Sequence, residues 1–225
     1  FQAWNDILSR VCVKGNNEES KTIFYTSLYH TCFLPMEFGD WDGTYLGMDG
    51  EVHSSSGFTF YGSYAFWDSF RSKYALYSLL IPEVYSDIAS SLKAIYSQAN
   101  NFSPFPDSDH QPHGYMYIAH GKKGNMWSDC RHEHMIMIMM DAYKKGLCKF
   151  SISDVYEYMR REVMLQMPEK YDKIGFIPNR ADQTGDYSWD NWCMAQASKD
   201  LGKMDDYTYF MKRGDYWKNT FDSSI

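Results

Sequence analysis

The chain has 225 residues and a formal net charge of -7, with 29 acidic and 22 basic side chains. This length suits one large domain or two small ones, and the acidic balance argues against a nucleic-acid partner, because no basic stripe is available to neutralise phosphates. The longest uninterrupted apolar run, Met135–Met140, is far shorter than the roughly 18 residues that a membrane span needs, so we expect no membrane span.

The first third of the chain predicts two helices followed by a long loop. Apolar residues recur at helical spacing over 1–11 and again over 22–33, and Pro35 stops the second helix. Residues 38–59 are rich in Gly, Asp and Ser, which predicts a long loop. We expect one hairpin near its end, around 57–62. Loops of this length in compact domains usually carry function.

The middle of the chain predicts three more helices and a second long loop. A third helix is expected over 67–80, and a fourth begins at Pro82, because proline suits the first helical position. The loop covers 100–127. A fifth helix is expected over 133–145, and Gly146 is placed to cap its end.

The last third predicts three helices and a third loop. Ser153 is expected to cap the sixth helix, a loop follows over 171–187, and further helices are expected over 189–201 and 205–218. Helices thus come in pairs, with a long loop after every second one. This alternation predicts an all-α fold, either stacked helical hairpins or part of an α/α toroid whose long loops gather at one end and build a cleft.

The five cysteines are far apart, and none forms a C-x-x-C pair. Neither a zinc knuckle nor a redox motif is indicated, and we expect buried free thiols, with one or two disulfides left open. The chain begins at Phe1, within a predicted helix and without a signal-peptide pattern. We therefore expect it to be a segment of a longer polypeptide.

The most informative local pattern is the segment Trp67–Arg71. Trp67 offers a flat apolar face to the C–H side of a sugar ring, while Asp68 and Arg71 offer charge-assisted hydrogen bonds to neighbouring hydroxyls. The alternative is an Asp68–Arg71 ion pair that stabilises a helix terminus.

Two clusters raise the question of a metal. Asp40 and Asp42 lie in an Asp-x-Asp-Gly sequence, but the glutamate at the twelfth position of a calcium loop is missing, so a polar turn is the alternative. Asp129, His132 and His134 could hold a transition metal. However, His-x-His places both rings on one side only in a strand, and a helix start is predicted here.

Two pairs of polar and aromatic residues fit structural roles. Tyr29 and His30 on the second helix are expected in the core or behind a sugar site rather than in direct contact with a sugar. Asp190 and Trp192 are expected at a helix start, where capping and packing explain them.

Motifs spread over nearly the whole chain occur in the order and spacing of one enzyme family. They are Phe24–Thr31, Asp40–Tyr45, Gly47–Gly50, Trp67–Arg71, His134, Asp141–Gly146, Gly175–Pro178, Asp190–Gln196 and Leu201–Lys203. Together they resemble glycoside hydrolase family 92, whose members are calcium-dependent, inverting exo-α-mannosidases. The resemblance implies that residues 1–225 are a single segment of an (α/α)6 toroid catalytic domain.

The resemblance also implies roles for individual residues. Four would form the wall that binds a terminal mannose of a mannose-rich glycan: Trp67, Asp68, Arg71 and His134. Three would lie behind that wall: Tyr29, His30 and Asp42. The family further implies a Ca²⁺ ion with most ligands outside this chain, the rest of the same polypeptide as a partner, and an extracytoplasmic location.

Two departures from the family pattern limit what the chain can do alone. His132 stands where the family has glycine, and a side chain prevents the same close backbone approach. The family's β-sandwich domain, its general acid in a Glu-Gly-Asn-Ala-Trp-Gln motif, and its later base and calcium motifs are not found in these 225 residues. We therefore expect no catalytic residue in the chain and no hydrolysis by it alone.

Two other functions stay open at this point. One is a non-catalytic carbohydrate-binding or scaffold protein on the same toroid. The other is a different toroid glycosidase with its acid and base in this chain, for instance Asp68 and Asp141. Inverting hydrolysis would need such a pair roughly 6.5–9.5 Å apart.

Overall fold

A computed structural model describes four ranges of the chain: 1–47, 49–98, 134–167 and 169–222. Helices make up most of these residues, and the strands are four short pieces in the first third. Among the described helices, none combines the length and apolar character needed to cross a membrane. The predicted loop over 100–127 lies outside the described residues, as do Asp129 and His132.

The first third of the chain forms two helices and two small strand pairs. Helix α1 spans Gln2–Leu8 and helix α2 spans Glu18–Thr31. The strands are β1 (Met36–Glu37), β2 (Thr44–Leu46), β3 (Val52–Ser54) and β4 (Tyr61–Gly62). Strand β1 pairs antiparallel with β4, and β2 pairs antiparallel with β3, with Tyr45 opposite His53.

Two predictions for this region change. Helix α2 begins four residues earlier than expected, because the Asn17 side chain accepts a hydrogen bond from the Ser20 amide at 3.0 Å and caps the helix there. The hairpin expected around 57–62 is wrong. The hairpin joins β2 to β3, where the Asp49-Gly50 pair turns the chain and Gly50 adopts a φ of 81°.

The helix predicted over 67–80 is divided in two. Helix α3 spans Phe66–Ser69 and helix α4 spans Lys73–Leu80. Ser72 breaks the helical path between them with a φ of -138°. Helix α5 (Pro82–Gln98) begins at its proline, as predicted, since the missing amide hydrogen is not needed in a first turn.

The next pair of helices follows the predicted spacing with one correction. Helix α6 spans Met135–Lys144, and Gly146 follows it with a φ of 71°, which confirms the predicted C-cap. A 3-10 helix over Ile152–Asp154 precedes α7 (Tyr156–Gln166). The predicted cap by Ser153 is wrong, because Ser153 lies inside the 3-10 helix.

The last third differs most from the prediction. Its elements are α8 (Glu169–Asp172), α9 (Ala181–Asp200), α10 (Met204–Gly214) and a 3-10 helix over Tyr216–Thr220. The loop expected over 171–187 is confirmed only over 173–180, and the helix start expected at 189 is wrong, because α9 begins at Ala181 and already includes Gly185. The tertiary packing of its neighbours overrides the low helix propensity of this glycine. Asp190, expected at a helix start, lies in the middle of α9.

Helices α6 and α9 run side by side in the same direction. At the start of α6, His134 meets Asp190 of α9, and at its end Lys144 forms an ion pair with Asp200. The faces of these helices pack with α5 and α7 into one apolar core, whose fully buried members include Ile88, Leu92, Ile136, Met139, Val163 and Met194. We refer to the end of the molecule where α4, α6 and α9 begin as the site end.

A second, smaller apolar cluster lies beside α9. Its buried members are Met167, Ile177, Tyr187 and Tyr216, with Tyr171 packed against them. This cluster joins the segment before α9 to the segment after α10. It therefore holds the residues that the sequence assigns to a loop.

Candidate sugar-binding site

Five side chains come together at the site end around the ring of Phe70. The Arg71 guanidinium carbon lies 4.4 Å from the centre of this ring, the His134 ring 4.3 Å and the Trp189 ring 5.4 Å from it. Asp186 approaches Arg71 from α9. The cluster therefore joins the α3–α4 junction, the start of α6 and the first half of α9.

The outer part of the cluster pairs an exposed arginine with a partly buried aspartate. Nη2 of Arg71 lies 3.9 Å from Oδ1 of Asp186, and its Nη1 donates a hydrogen bond to the Trp67 carbonyl at 3.2 Å. The Arg71 side chain is 54% exposed and that of Asp186 is 14% exposed. The long ion-pair distance leaves guanidinium N–H donors that a ligand hydroxyl can use.

The inner part of the cluster is a buried pair. Asp190 accepts a hydrogen bond from Nδ1 of His134 at 3.3 Å, and both side chains are fully buried. Phe70 covers the imidazole on the side that faces the cavity. Burial, followed by the negative charges of Asp190 and Asp141, raises the pKa of the nearby Cys193 thiol. The His134–Asp190 hydrogen bond joins α6 to α9 on the inner side of the exposed residues.

The predicted segment Trp67–Arg71 lies at the surface of this cluster. Both Trp67 and Asp68 are exposed, and among the described residues the carboxylate partner of Arg71 is Asp186, not Asp68. The Asp68–Arg71 ion pair considered as an alternative is therefore not formed. A sugar contact by Trp67, Asp68 and Arg71 stays a prediction, and their exposure is compatible with it. The predicted sugar contact of His134 also stays a prediction, although its ring lies behind Phe70.

A cavity of about 520 Å³ opens beside the cluster, between α4, α6 and α9. Its wall combines three aromatic rings with a few polar side chains, which is the usual composition of a ligand pocket. They are Phe70, Trp189, Trp192, Arg71, Asp141, Lys144 and Gln196. Asp141 accepts hydrogen bonds from Tyr85 at 2.9 Å and from Lys145 at 2.8 Å.

Asp68 does not line this cavity, whereas Asp141 does. The two carboxylates named for a glycosidase with its acid and base in this chain therefore do not share this cavity. Asp141 is also held by its two hydrogen-bond donors, which favours a structural carboxylate over a catalytic acid.

The three residues predicted behind the sugar wall lie in other surroundings. The Tyr29 ring packs on Trp4 at 4.5 Å and on Phe33 at 4.8 Å, and the His30 ring lies 5.1 Å from Phe33. These contacts join α2 to α1, and they pack the last turn of α2 against Phe33, which follows it. A role for Tyr29 and His30 behind a bound sugar stays a prediction.

Asp42 forms a polar turn. Its Oδ1 accepts hydrogen bonds from the Thr44 hydroxyl at 2.7 Å and from the Thr44 amide at 3.0 Å, and these bonds lower the pKa of the Asp42 carboxyl. This is the turn that the Asp-x-Asp-Gly sequence leaves as the alternative to a calcium site.

The described residues offer no cluster of three His, Cys, Asp or Glu side chains that could hold a metal ion. Glu133 and Cys130 lie outside the described residues. Four cysteines are described, all as free thiols: Cys12, Cys32, Cys148 and Cys193. Burial raises the pKa of Cys148 to about 12, so this thiol is protonated at neutral pH.

Asp186 is the residue of the cluster that sequence reasoning missed. It falls in the stretch 171–187, which was predicted as a loop because of its glycines. The spacing of Asp182, Asp186 and Trp189 continues back from Trp192 at intervals of three and four, and these positions form one side of α9. This helical spacing is the signal that could have identified it.

Comparison with known families and structures gives a consistent result. The model of the glycosyl hydrolase family 92 catalytic domain matches residues 1–225. The family GH92 α-mannosidase BT3965 from Bacteroides thetaiotaomicron is 28% identical and superposes with a TM-score of 0.78 over 98% of this chain and 29% of its own. The same enzyme in complex with mannoimidazole is 29% identical and also gives a TM-score of 0.78, over 98% of this chain and 28% of its own.

A second enzyme from this bacterium agrees. The family GH92 inverting mannosidase BT2199 from Bacteroides thetaiotaomicron VPI-5482 is 26% identical and gives a TM-score of 0.75 over 97% of this chain and 30% of its own. The chain thus spans less than a third of the length of these enzymes. Its helices match part of their α/α toroid, which confirms the predicted fold. No curated protein matches the sequence.

Proposed function

The chain belongs to glycoside hydrolase family 92, and we propose that the protein is an inverting exo-α-mannosidase to which this segment contributes part of the sugar-binding wall. The observation that carries the proposal is the half-exposed Arg71, which lines the cavity, packs on the Phe70 ring and faces Asp186. The likeness to an α-mannosidase solved in complex with mannoimidazole supports a mannose-type ligand.

The chemistry of the exposed residues suits a sugar. The guanidinium fork of Arg71 can donate to two neighbouring hydroxyls, and the carboxylates of Asp68 and Asp186 can accept from hydroxyls of the same ring. Trp67 can cover an apolar ring face. Such contacts orient the sugar and favour its reactive shape, so they contribute to the rate although no bond is broken on them.

Further parts of the proposal rest on the resemblance. We propose that the substrate is a terminal mannose of a mannose-rich glycan, that the protein acts outside the cytoplasm, and that a Ca²⁺ ion assists it. The described residues do not form a set of ligands for that ion. We therefore assign it no ligand here and derive no step through it. We assign the general acid and the general base to no described residue.

The test is Asp68→Asn in the full-length protein. Because Asp68 is exposed and bonds no described residue, the variant should keep its melting temperature. Loss of a charged acceptor should lower kcat/KM for an α-mannoside about ten- to a hundredfold. The matched control is Asp205→Asn, an exposed aspartate in the first turn of α10, which should leave both quantities unchanged.

Three results would contradict parts of this proposal. Unchanged kinetics in Asp68→Asn would remove Asp68 from the sugar-binding wall. An equal loss in Asp205→Asn would show a general effect of charge. Binding of mannoimidazole without release of mannose by the wild-type protein would favour the carbohydrate-binding alternative over the enzyme.

A further inference from the structure

A buried arginine lies behind α9, away from the cavity. Arg213, in the last turn of α10, is 1% exposed. Burial lowers the pKa of its guanidinium, and the negative charge of Asp172 opposes this effect. A buried charge costs free energy unless neighbouring groups compensate it, so the contacts of Arg213 show what it holds.

Besides Tyr209 of its own helix, Arg213 contacts residues of the stretch that runs from the end of α7 to the end of α8. Nε lies 3.5 Å from Oδ1 of Asp172, Nη2 donates to the Met167 carbonyl at 3.4 Å, and Nη1 approaches the Met164 sulfur at 3.4 Å. One side chain therefore holds the end of α7 and the end of α8 at once.

Asp172 collects further contacts from the end of the chain. Its carboxylate accepts hydrogen bonds from the Tyr209 hydroxyl and the Tyr216 hydroxyl, each at 2.9 Å. The Tyr216 ring belongs to the small apolar cluster with Ile177 and Tyr187. We call Arg213, Asp172 and Tyr216 the clasp.

The clasp continues into the loop 173–180, which leads to the start of α9. Gly175 has a φ of 77°, and its carbonyl accepts a hydrogen bond from Nδ2 of Asn219 at 2.9 Å. A Cβ at Gly175 would lie 2.6 Å from that nitrogen, so a side chain there would displace Asn219 and would also be strained by the positive φ. The Ile177 amide donates to the Thr184 hydroxyl at 3.0 Å. The loop is therefore fixed from both sides.

The same contacts set the rotation of α9 about its axis. The Ser188 hydroxyl accepts a hydrogen bond from the Trp217 amide at 2.9 Å, and Tyr187 is buried in the small cluster. These two residues lie between Asp186 and Trp189 in sequence. Successive side chains are arranged around a helix at a fixed angle. When Tyr187 and Ser188 are held on the side of α9 that faces away from the cavity, Asp186 and Trp189 therefore face Arg71 and Phe70.

We propose that Arg213, acting through Asp172 and Tyr216, is a positioning residue for the sugar-binding wall. It fixes the loop 173–180 and the rotation of α9 that places Asp186 opposite Arg71. This proposal rests on the proposed function, since it assumes that this wall binds a mannose-type ligand.

The test compares two conservative changes in the full-length protein. Arg213→Lys keeps the positive charge but loses the guanidinium fork. Arg160→Lys is the control, because Arg160 also bonds an aspartate, Asp206 of α10, at 2.9 and 3.2 Å, and neither residue contacts the loop 173–180. Arg160 is more exposed than Arg213, so the control tests the loss of an Arg–Asp pair outside the clasp. Two quantities are measured well below each melting temperature. They are the dissociation constant for mannoimidazole and the hydrogen–deuterium exchange of the loop amides.

The expected result is specific to the clasp. Arg213→Lys should raise the dissociation constant about tenfold, because a small displacement of a binding group is costly, and should speed exchange at the amides of Gly175 and Ile177. Arg160→Lys should change neither quantity. If Arg213→Lys does not fold, Tyr216→Phe, which removes one hydroxyl of the clasp, decides by the same two measurements.

The contrary results separate this proposal from the proposed function. Unchanged affinity in Arg213→Lys, against a wild type that binds mannoimidazole, overturns the positioning role and leaves the function intact. An equal loss of affinity in Arg160→Lys overturns it as well. A wild-type protein that binds no mannoimidazole contradicts the proposed function, and the positioning role is then rejected with it.

Discussion

Asp186 and Asp190 lie one turn apart on α9, but they face different surroundings. Asp186 lies 3.9 Å from a half-exposed arginine, while Asp190 is fully buried and bonds His134 at 3.3 Å. A carboxylate at the surface can exchange its protein contact for a ligand contact at little cost. A buried carboxylate cannot, because its partner would remain without water and without a bond. Neighbouring turns of α9 thus suit different roles: the turn with Asp186 suits contact with a ligand, and the turn with Asp190 stabilises the interior.

The largest expected effect tests the buried turn. Asp190→Ala should lower the free energy of unfolding by about 3 kcal/mol, because His134 loses its carboxylate partner in the interior. Asp186→Ala should lower it by less than Asp190→Ala, because Asp186 is partly exposed and its partner Arg71 is 54% exposed. Urea unfolding of the full-length variants measures both. Equal losses would show that burial does not separate these two aspartates.

The second effect tests the exposed turn. Asp186→Asn should raise the dissociation constant for mannoimidazole about tenfold, since a charged hydrogen-bond acceptor is lost from the site. The matched control is Asp154→Asn, whose carboxylate pairs with Lys93 at 2.7 Å, because neither of these residues lines the cavity. Isothermal titration calorimetry compares the two variants. Weaker ligand binding by Asp154→Asn, or unchanged binding by Asp186→Asn, would argue against a site at this turn.

The smallest effect concerns a carboxylate of intermediate exposure, Asp206. Burial raises the pKa of Asp206, but hydrogen bonds from Arg160 and Tyr156 lower this pKa by more. The net pKa therefore lies below its usual value. Its stabilising contribution is therefore complete above the unfolded pKa of about 3.9 and is lost as the pH falls through the folded pKa. Asp206→Asn should remove this contribution.

The measurement is urea unfolding of the wild type and Asp206→Asn at pH 6 and at pH 3. The wild type should be more stable than the variant at pH 6, by less than about 1 kcal/mol, and the difference should shrink at pH 3. A difference that grows on acidification would contradict the lowered pKa. With its side chain 23% exposed, Asp206 extends the comparison to a carboxylate that is more exposed than both aspartates of α9.

The comparison also explains which parts of the fold the sequence predicts. The starts and ends marked by Pro82 and Gly146 are correct, because these residues act within a single turn of helix. The start of α9 is not marked locally. Its first two turns are held by Tyr187 and Thr184 through contacts with Ile177, and with Tyr216 far along the chain, and such tertiary contacts leave no local pattern to read.

The candidate site divides in the same way. The sequence singles out Arg71, which lines the cavity, because its type and spacing indicate sugar chemistry. The sugar contact itself stays a prediction, as does that of Trp67. Asp186 is missed, since its place opposite Arg71 depends on the start of α9 and on its packing. The buried His134–Asp190 pair joins residues 56 positions apart, a distance over which one sequence offers no pattern.

The ring of Phe70 has one more consequence. It contacts both the charged guanidinium of Arg71 and the buried imidazole of His134, so a single apolar ring joins the wall of the cavity to the interior. Arg71 is 54% exposed and hydrated, whereas the His134–Asp190 pair is fully buried. Surface residues of the wall can therefore be exchanged to suit another sugar while the interior keeps its hydrogen bond.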